Sequence, residues 1–425
     1  MQHAFRFGGR FTGTLATAAL LFAAACSSVT DSLLEVEDPD LILPGNVNSL
    51  GGARAVANGA LGRFLDITAG SEGTWLYGGL LTDEWTTSST FIQNDETDQR
   101  KVQLLNTQVT GFYRSINRVR TAANQAIPLL QTFDSTNKAL IAEMYFARGF
   151  AEMQLALDFC NGIPLSDAAG DVVVYDTPRT GAEVLAVAVA SFDSAITRAG
   201  TDAQSVSIAN AAKIGKGRAL MALNQYSAAA QAVAGIPTSY KYQHTFSLTT
   251  NSNIIWAQGF SAKRYSVGDS IDGNNRDILV RNAIPFTSAL DPRLPVTDTK
   301  KNAQPTVGQD GGTVMRLTQI YDRLTPIDVV NGTDARLIEA ENQLKNGDVA
   351  GWLATLNGLR QGANRVTSIG TVTIGATALP LLTDPGTPEA RVSLMFREKA
   401  FWTFARGQRL GDLRRLVRQY GRAPT

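Results

Sequence analysis

"NKALIAEMYFARGFAEMQLALDF", residues 137–159, decides the fold class. It is apolar nearly all round, with Glu143, Arg148, Glu152 and Gln154 gathered towards one side, so it reads as a helix buried among other helices. A surface helix would carry a broader polar face. Outward from it, "GAEVLAVAVASFDSAITRAG" (181–200) is a second helix framed by Gly181 and Gly200. Residues 207–237, "SIANAAKIGKGRALMALNQYSAAAQAVAGIP", divide into two helices at Asn224-Gln225 and stop at Gly235 and Pro237. "ARLIEAENQLKNGDVAGWLATLNGLRQGAN" (335–364) is a further hairpin turned at Asn346-Gly347-Asp348. The expectation is a mostly α protein.

Within residues 207–237, Gly217 and Ala229 stand twelve apart, with Tyr226 between them and Val233 four beyond Ala229. Small residues at such positions let paired helices approach closely, and the pattern resembles a tetratricopeptide-type hairpin. Roughly 90 residues of another character separate this hairpin from the next, which disfavours an uninterrupted solenoid. The intervening stretch, 238–328, is rich in Asn, Ser, Thr and Gly with scattered aromatics, and predicts short strands and long loops. Segments of that kind on a rigid scaffold are where binding groups tend to sit. Residues 49–237 and 329–425 are read as helical regions on either side of it.

The amino terminus carries a different signal. Arg6 and Arg10 precede a run from Leu15 to Ala25 that is apolar except for Thr17. That run is too short to span a bilayer, and it has the form of an export signal over residues 1–25. "LFAAAC", ending at Cys26, resembles a bacterial lipobox, which implies acylation of Cys26 and a durable lipid anchor. The alternative is a cysteine that merely follows a secretory cleavage site. Residues 26–48, with five acids and two prolines in 27–46, read as a tether. With Cys26 acylated, Cys160 has no intramolecular partner, so no disulfide is expected, and Cys160 reads as a small buried apolar group. Loss of Arg6 and Arg10 takes the formal charge from +1 to −1. A near-neutral chain without basic runs argues against nucleic acid.

"REKAFWTFARGQRLGDLRRL" (397–416) resembles the C-terminal pattern of the SusD/RagB nutrient-uptake lipoproteins of bacterial outer membranes. Glu398, Lys399, Gly407, Arg409, Asp412, Leu413 and Arg414 fall in register, while Trp402 and Arg406 stand where that family usually has glutamates. "LNGLRQGA" through Leu356, Asn357, Arg360 and Ala363, "ARLIEAEN" through Leu337, Ala340 and Glu341, and "DPRL" through Asp291, Pro292 and Arg293 match in order. "FARGF" and "GIPL" resemble the family's first hairpin, with Gly162 one place late. The family continues past the Asp-Leu-Arg segment as an extended tail, whereas this sequence ends at "GRAPT", as expected of a shortened or an incomplete copy. The resemblance implies a SusD-like helical scaffold carrying an irregular ligand-binding region, lipid-anchored in the outer membrane and facing outward. It implies capture of a nutrient, glycan first and peptide second, for a SusC-like TonB-dependent transporter that the protein caps as a lid. Glu398, Arg409 and Asp412 are read as charges that brace helix packing, because a fold signature is not a site.

No enzyme chemistry is expected. After the signal only one histidine remains, His244, read as a loop hydrogen-bonder, and no nucleophile elbow, phosphate loop or dinucleotide fingerprint occurs. Asp83, Glu84, Asp95, Glu96 and Asp98 lie close in sequence. Such acids could in principle hydrolyse a glycoside or hold calcium, but solvated loop acids are the simpler reading. No cofactor and no metal are assigned. Sugar rings offer apolar C–H faces to aromatic side chains and hydroxyls to Asn, Asp, Arg and Gln. Two stretches supply that mixture: Trp75, Tyr77 and Trp85 beside the acids, and Trp256, Phe260 and Tyr265 beside Asn253, Lys263 and Arg264. Core packing is the competing reading for each aromatic. Two rival functions come from other classes, a tetratricopeptide-type protein-interaction scaffold of the envelope and a lipid-anchored glycoside hydrolase.

Overall fold

Asn137 starts the helix expected over 137–159: its side chain accepts the Leu140 N–H at 3.2 Å, and the helix runs Lys138–Asp158. Capping of this kind satisfies one of the donors that a helix leaves free at its first turn. The structure, a computed structural model, describes residues 47–423 except 71–72, 160, 170–171, 271–282, 362–367, 370–371 and 376–378. The export signal, Cys26, nearly all of the tether and Cys160 lie outside the described residues.

The helices, in chain order, are α1 (Leu50–Ala69), α2 (Ile92–Asp98), α3 (Thr107–Phe133), α4 (Lys138–Asp158), α5 (Gly181–Arg198), α6 (Ala203–Ala222), α7 (Tyr226–Val233), α8 (Gly332–Lys345), α9 (Val349–Arg360), α10 (Pro388–Trp402) and α11 (Arg409–Tyr420). The strands are short: β1 (Trp85–Thr87), β2 (Lys241–His244), β3 (Tyr265–Val267), β4 (Val296–Asp298), β5 (Arg316–Thr318), β6 (Ile327–Asn331), β7 (Ser368–Ile369) and β8 (Val372–Thr373). The protein has the mostly α architecture expected. No helix among the described residues is long and apolar enough to cross a membrane.

Helices pair as α1 with α3, α4 with α5, α6 with α7 and α8 with α9, and successive pairs pack on one another. The centre of the stack is aromatic. Phe64 from α1 meets Phe146 and Phe150 from α4 edge-on at 5.7 and 5.2 Å, and Phe146 lies 6.1 Å from Phe192 of α5. The break at Asn224-Gln225 is where expected, with Asn224 in the left-handed region that an asparagine tolerates. A Cβ on Gly217 would stand 2.8 Å from Val233 Cγ1 and 3.0 Å from Ile338 Cδ1, so the close approach inferred from sequence is present. Gly347, with φ 78°, turns the α8–α9 hairpin where a side chain would be strained.

Residues between α7 and α8 leave the stack and return to it. β2 and β6 pair antiparallel, with Lys241 opposite Asn331 and His244 opposite Ile327, so the start and finish of the excursion are hydrogen-bonded together. Asn331 then caps α8 by a reciprocal box with Asp334. The hairpins that the sequence separates are therefore neighbours, with α7 packed on α8. Inside the excursion, β3 pairs with β1, Tyr265 opposite Thr87, and β4 pairs with β5, Val296 opposite Thr318.

Candidate functional site

The acidic stretch before β1 is buried. Asp83 accepts a bidentate pair from Arg409 at 2.6 and 2.5 Å and the Ile284 N–H at 2.7 Å. Burial, with the neighbouring Asp83 charge adding to it, pushes the Glu84 carboxyl from 4.5 up to about 8. Glu84 Oε1 accepts the Ala405 N–H at 3.1 Å, while its Oε2 is buried without a partner. Asp98 accepts the Thr87 N–H, and Glu96 accepts from Asn106. Asp83, Glu84 and Asp98 are buried and hold backbone and arginine in place, whereas Glu96 is partly exposed. Among the described residues no three His, Cys, Asp or Glu side chains converge on a point.

The aromatic candidates separate into two sets. Trp75, Tyr77, Trp85 and Tyr265 are each at most 2% exposed, which corrects the expectation that they face a ligand. Trp85 packs against Phe404 at 4.9 Å and Tyr265 at 6.5 Å, and its Nε1 donates to the Trp75 carbonyl at 3.0 Å. The Tyr77 hydroxyl is held by Thr97 and Asn106. The physical reason is the β1–β3 pairing, which folds both stretches onto the C-terminal segment and places these rings in one core. His244 is likewise a core residue. It ends β2 and lies 2.8 Å from Thr68 Oγ1, and burial pulls its ring down to about 3.

Trp256, Phe260 and Arg264 remain partly exposed. Trp256 and Phe260 share a seven-residue π-helical turn, Ile255–Ser261. Asn253 sets it: its side-chain oxygen accepts the Ile255 and Trp256 N–H groups, and its amide donates to the Thr325 carbonyl at 2.7 Å. Lys263, with φ 54°, reverses the chain, and Arg264 N donates to the Gln258 carbonyl. The Arg264 guanidinium lies over the ring of Phe91, 5.7 Å from its centre. Buried polar atoms without partners gather on these elements: Gln258 Oε1, Arg264 Nε and Arg316 Nη1.

Beside Phe260, the β4–β5 pair forms one wall of an open groove of about 410 Å³. Thr297, Asn302, Thr306 and Gln319 line it with the Phe260 ring. The groove offers an aromatic face, hydroxyls and side-chain amides, and none of its lining residues is ionisable. Such a surface suits a neutral polyhydroxylated ligand and lacks the paired carboxylates that glycoside cleavage needs. The sequence pointed to the 238–328 region and to Phe260, but not to Thr297, Asn302 or Gln319. Their convergence depends on strand pairing.

The charges named from the C-terminal pattern brace the fold as expected. Glu398 accepts from Arg293 at 2.9 and 3.0 Å and from Arg360 at 2.7 Å, and Asp412 accepts from Lys399 at 2.7 Å. Arg406 pairs with Asp334 and donates to the Asp328 carbonyl, and Trp402 packs over the Arg293 guanidinium at 5.0 Å.

No family model matches the sequence, and no curated protein matches it. Solved structures do. A SusD/RagB family protein from Bacteroides thetaiotaomicron superposes with a TM-score of 0.62 at 13% identity, covering 86% of this chain and 87% of that one. A SusD-like carbohydrate-binding protein from Bacteroides fragilis gives 0.61 at 12% identity, covering 88% and 87%. A laminarin-binding SusD-like protein gives 0.56 at 15% identity, covering 87% and 91%. The chain has the SusD-like fold.

Proposed function

We propose that the protein is a SusD/RagB-type lipoprotein of the bacterial outer membrane that captures a nutrient, a glycan in the first instance, and acts without catalysing a reaction on it. The observation that carries this reading is the Phe260 groove, an uncharged, hydroxyl- and amide-lined surface on the excursion of a SusD-like scaffold. Trp256 lies in the same turn as Phe260, and Arg264 follows it. Acylation at Cys26 anchors the chain on the outward face of that membrane. The captured glycan passes to a SusC-like TonB-dependent transporter, over which the protein closes as a lid. Closure follows from differential affinity, since a ligand held by both partners favours the state in which both contact it.

Calorimetry with neutral oligosaccharides, followed by product analysis, tests the reading. Saturable binding with the oligosaccharide recovered intact is expected. Cleavage would replace capture by hydrolysis, and no binding across the panel would leave an interaction scaffold. Metabolic labelling with a clickable fatty acid should mark the wild-type chain and fail to mark Cys26→Ala. An unlabelled wild type removes the anchor.

A further inference from the structure

The Phe260 groove is uncharged along its lining, but the segments that build it are not. Lys300 and Lys301 belong to the 3₁₀ turn Thr299–Lys301, and the residues on either side of the pair, Thr299 and Asn302, both line the groove. Both lysines are exposed. Arg316 adjoins the lining residue Leu317 on β5, and Lys263 and Arg264 follow the turn that carries Phe260. All five side chains reach solvent, and none makes an ion pair with a described carboxylate.

The acids of the same region are used otherwise. Asp298 accepts the Lys300 N–H at 3.1 Å, Asp310 the Gly312 and Thr313 N–H groups at 3.0 and 2.9 Å, and Asp322 the Gln319 side-chain amide at 2.9 Å. Asp269, beyond β3, accepts the Ser288 N–H and hydroxyl. These acids hold turns in shape. Asp298 also stands opposite Arg316 in the β4–β5 register and offsets part of one positive charge. With all four acids counted as ionised, and Arg323 beside Asp322 added to the five cations, positive charge still leads six to four. Over residues 241–331 the formal charge is +2, while the remainder of the chain from Cys26 onward carries −3. A positive field on one region of an otherwise negative chain draws anions to that region.

We infer that the glycan captured in the Phe260 groove is acidic, a uronic-acid oligosaccharide whose carboxylates are met by Lys300 and Lys301. This rests on the capture reading and narrows it. A neutral floor with a cationic rim suits such a molecule: sugar rings lay C–H faces and hydroxyls along Phe260, Thr297 and Gln319, and carboxylates on the ring edges reach the ammoniums outside. An exposed ammonium meets an exposed carboxylate without the desolvation that a buried pair requires. The acid is therefore favoured, and neutral rings are still accepted.

Matched ligands test it: oligogalacturonate and oligomannuronate, each against its own methyl ester, titrated calorimetrically into the mature chain at low ionic strength. At least one acid should bind about tenfold tighter than its ester, an increment that two exposed ion pairs supply. The gap should close in 1 M salt, where the screening length is about 3 Å. Lys300→Gln/Lys301→Gln should bring the acid to the affinity of its ester, and both positions are exposed, so the double variant is expected to fold. Equal affinity of acid and ester overturns the inference and leaves capture standing. An acid preference that survives the double variant overturns the assignment to these lysines. Absence of binding by acids, esters and neutral oligosaccharides alike overturns capture, and this inference with it.

Discussion

The helical hairpins of residues 107–233 and the excursion of residues 241–331 satisfy their backbone polar groups by different routes. Within the hairpins almost every N–H is bonded four residues back, so side chains are free to be chosen for packing, and small and aromatic residues fill the interior. In the excursion the paired strands are three to five residues long, and individual side chains finish the work. Asn253 holds the π-helical turn, Thr299 bonds the Thr306 and Met315 carbonyls, and Asp310 gathers the Gly312 and Thr313 N–H groups. The first arrangement is stiff and repetitive. The second leaves polar groups such as Thr297 and Asn302 on a groove wall, where a ligand can use them. On the proposed reading, binding belongs to the region whose backbone is least regular, and stability to the region whose backbone is most regular.

The largest expected effect lies where the two regions are tied together. Glu398 of α10 holds Arg293 of the excursion and Arg360 of α9, so Glu398→Ala takes a shared carboxylate from two buried guanidiniums, of which Arg293 keeps its pair with Asp291. A loss of about 3–5 kcal/mol is expected in urea unfolding, with partial recovery in Glu398→Ala/Arg360→Met. An undiminished midpoint would mean that the excursion is fastened elsewhere. Trp85→Ala should cost about 3–5 kcal/mol by opening the core beneath β1.

Glu84 sharpens the comparison through pH. Its folded-state value is about 8 against an ordinary 4.5, so the folded protein keeps the proton over a range in which the unfolded chain releases it. Stability from this group is therefore full below about 4.5, falls as pH rises towards 8 and levels beyond it. Glu84→Gln should flatten that fall, by on the order of 5 kcal/mol across the window, in melts recorded from pH 4 to 9. An unchanged slope would assign the pH dependence to other groups.

Smaller effects separate packing from binding. Gly217→Val drives a side chain into Val233 and Ile338 and should lower stability by about 1–3 kcal/mol, with the oligosaccharide isotherm unchanged. Phe260→Ala should do the reverse: melting within about 0.5 kcal/mol of wild type and glycan affinity weaker by about 1 kcal/mol, near fivefold. If Phe260→Ala binds as the wild type does, the groove is not the capture surface.

Much of the scaffold was legible before any coordinates. The all-round apolar pattern of 137–159, the Asn224-Gln225 break and the Asn346-Gly347-Asp348 turn each specify local geometry, and each appears where expected. The site was legible only as a region. Trp75, Tyr77, Trp85 and Tyr265 look like Trp256 and Phe260 in composition and in their Gly, Ser, Thr and Asn surroundings. Pairing of β1 with β3, 180 residues away along the chain from Trp85 to Tyr265, sends one set inside and leaves the other at the surface. His244 was misplaced in a loop for the same reason, since its strand exists only through β6.

The sequence by itself determined the helical class, the hairpin turns, the existence of an irregular excursion and the charged C-terminal pattern, because periodicity, glycine conformation and residue order act over short distances. Tertiary structure alone decided which aromatics are buried and which carboxylates are paired or held neutral. Burial and charge pairing are sums over neighbours brought together from distant parts of the chain, and no local window contains them.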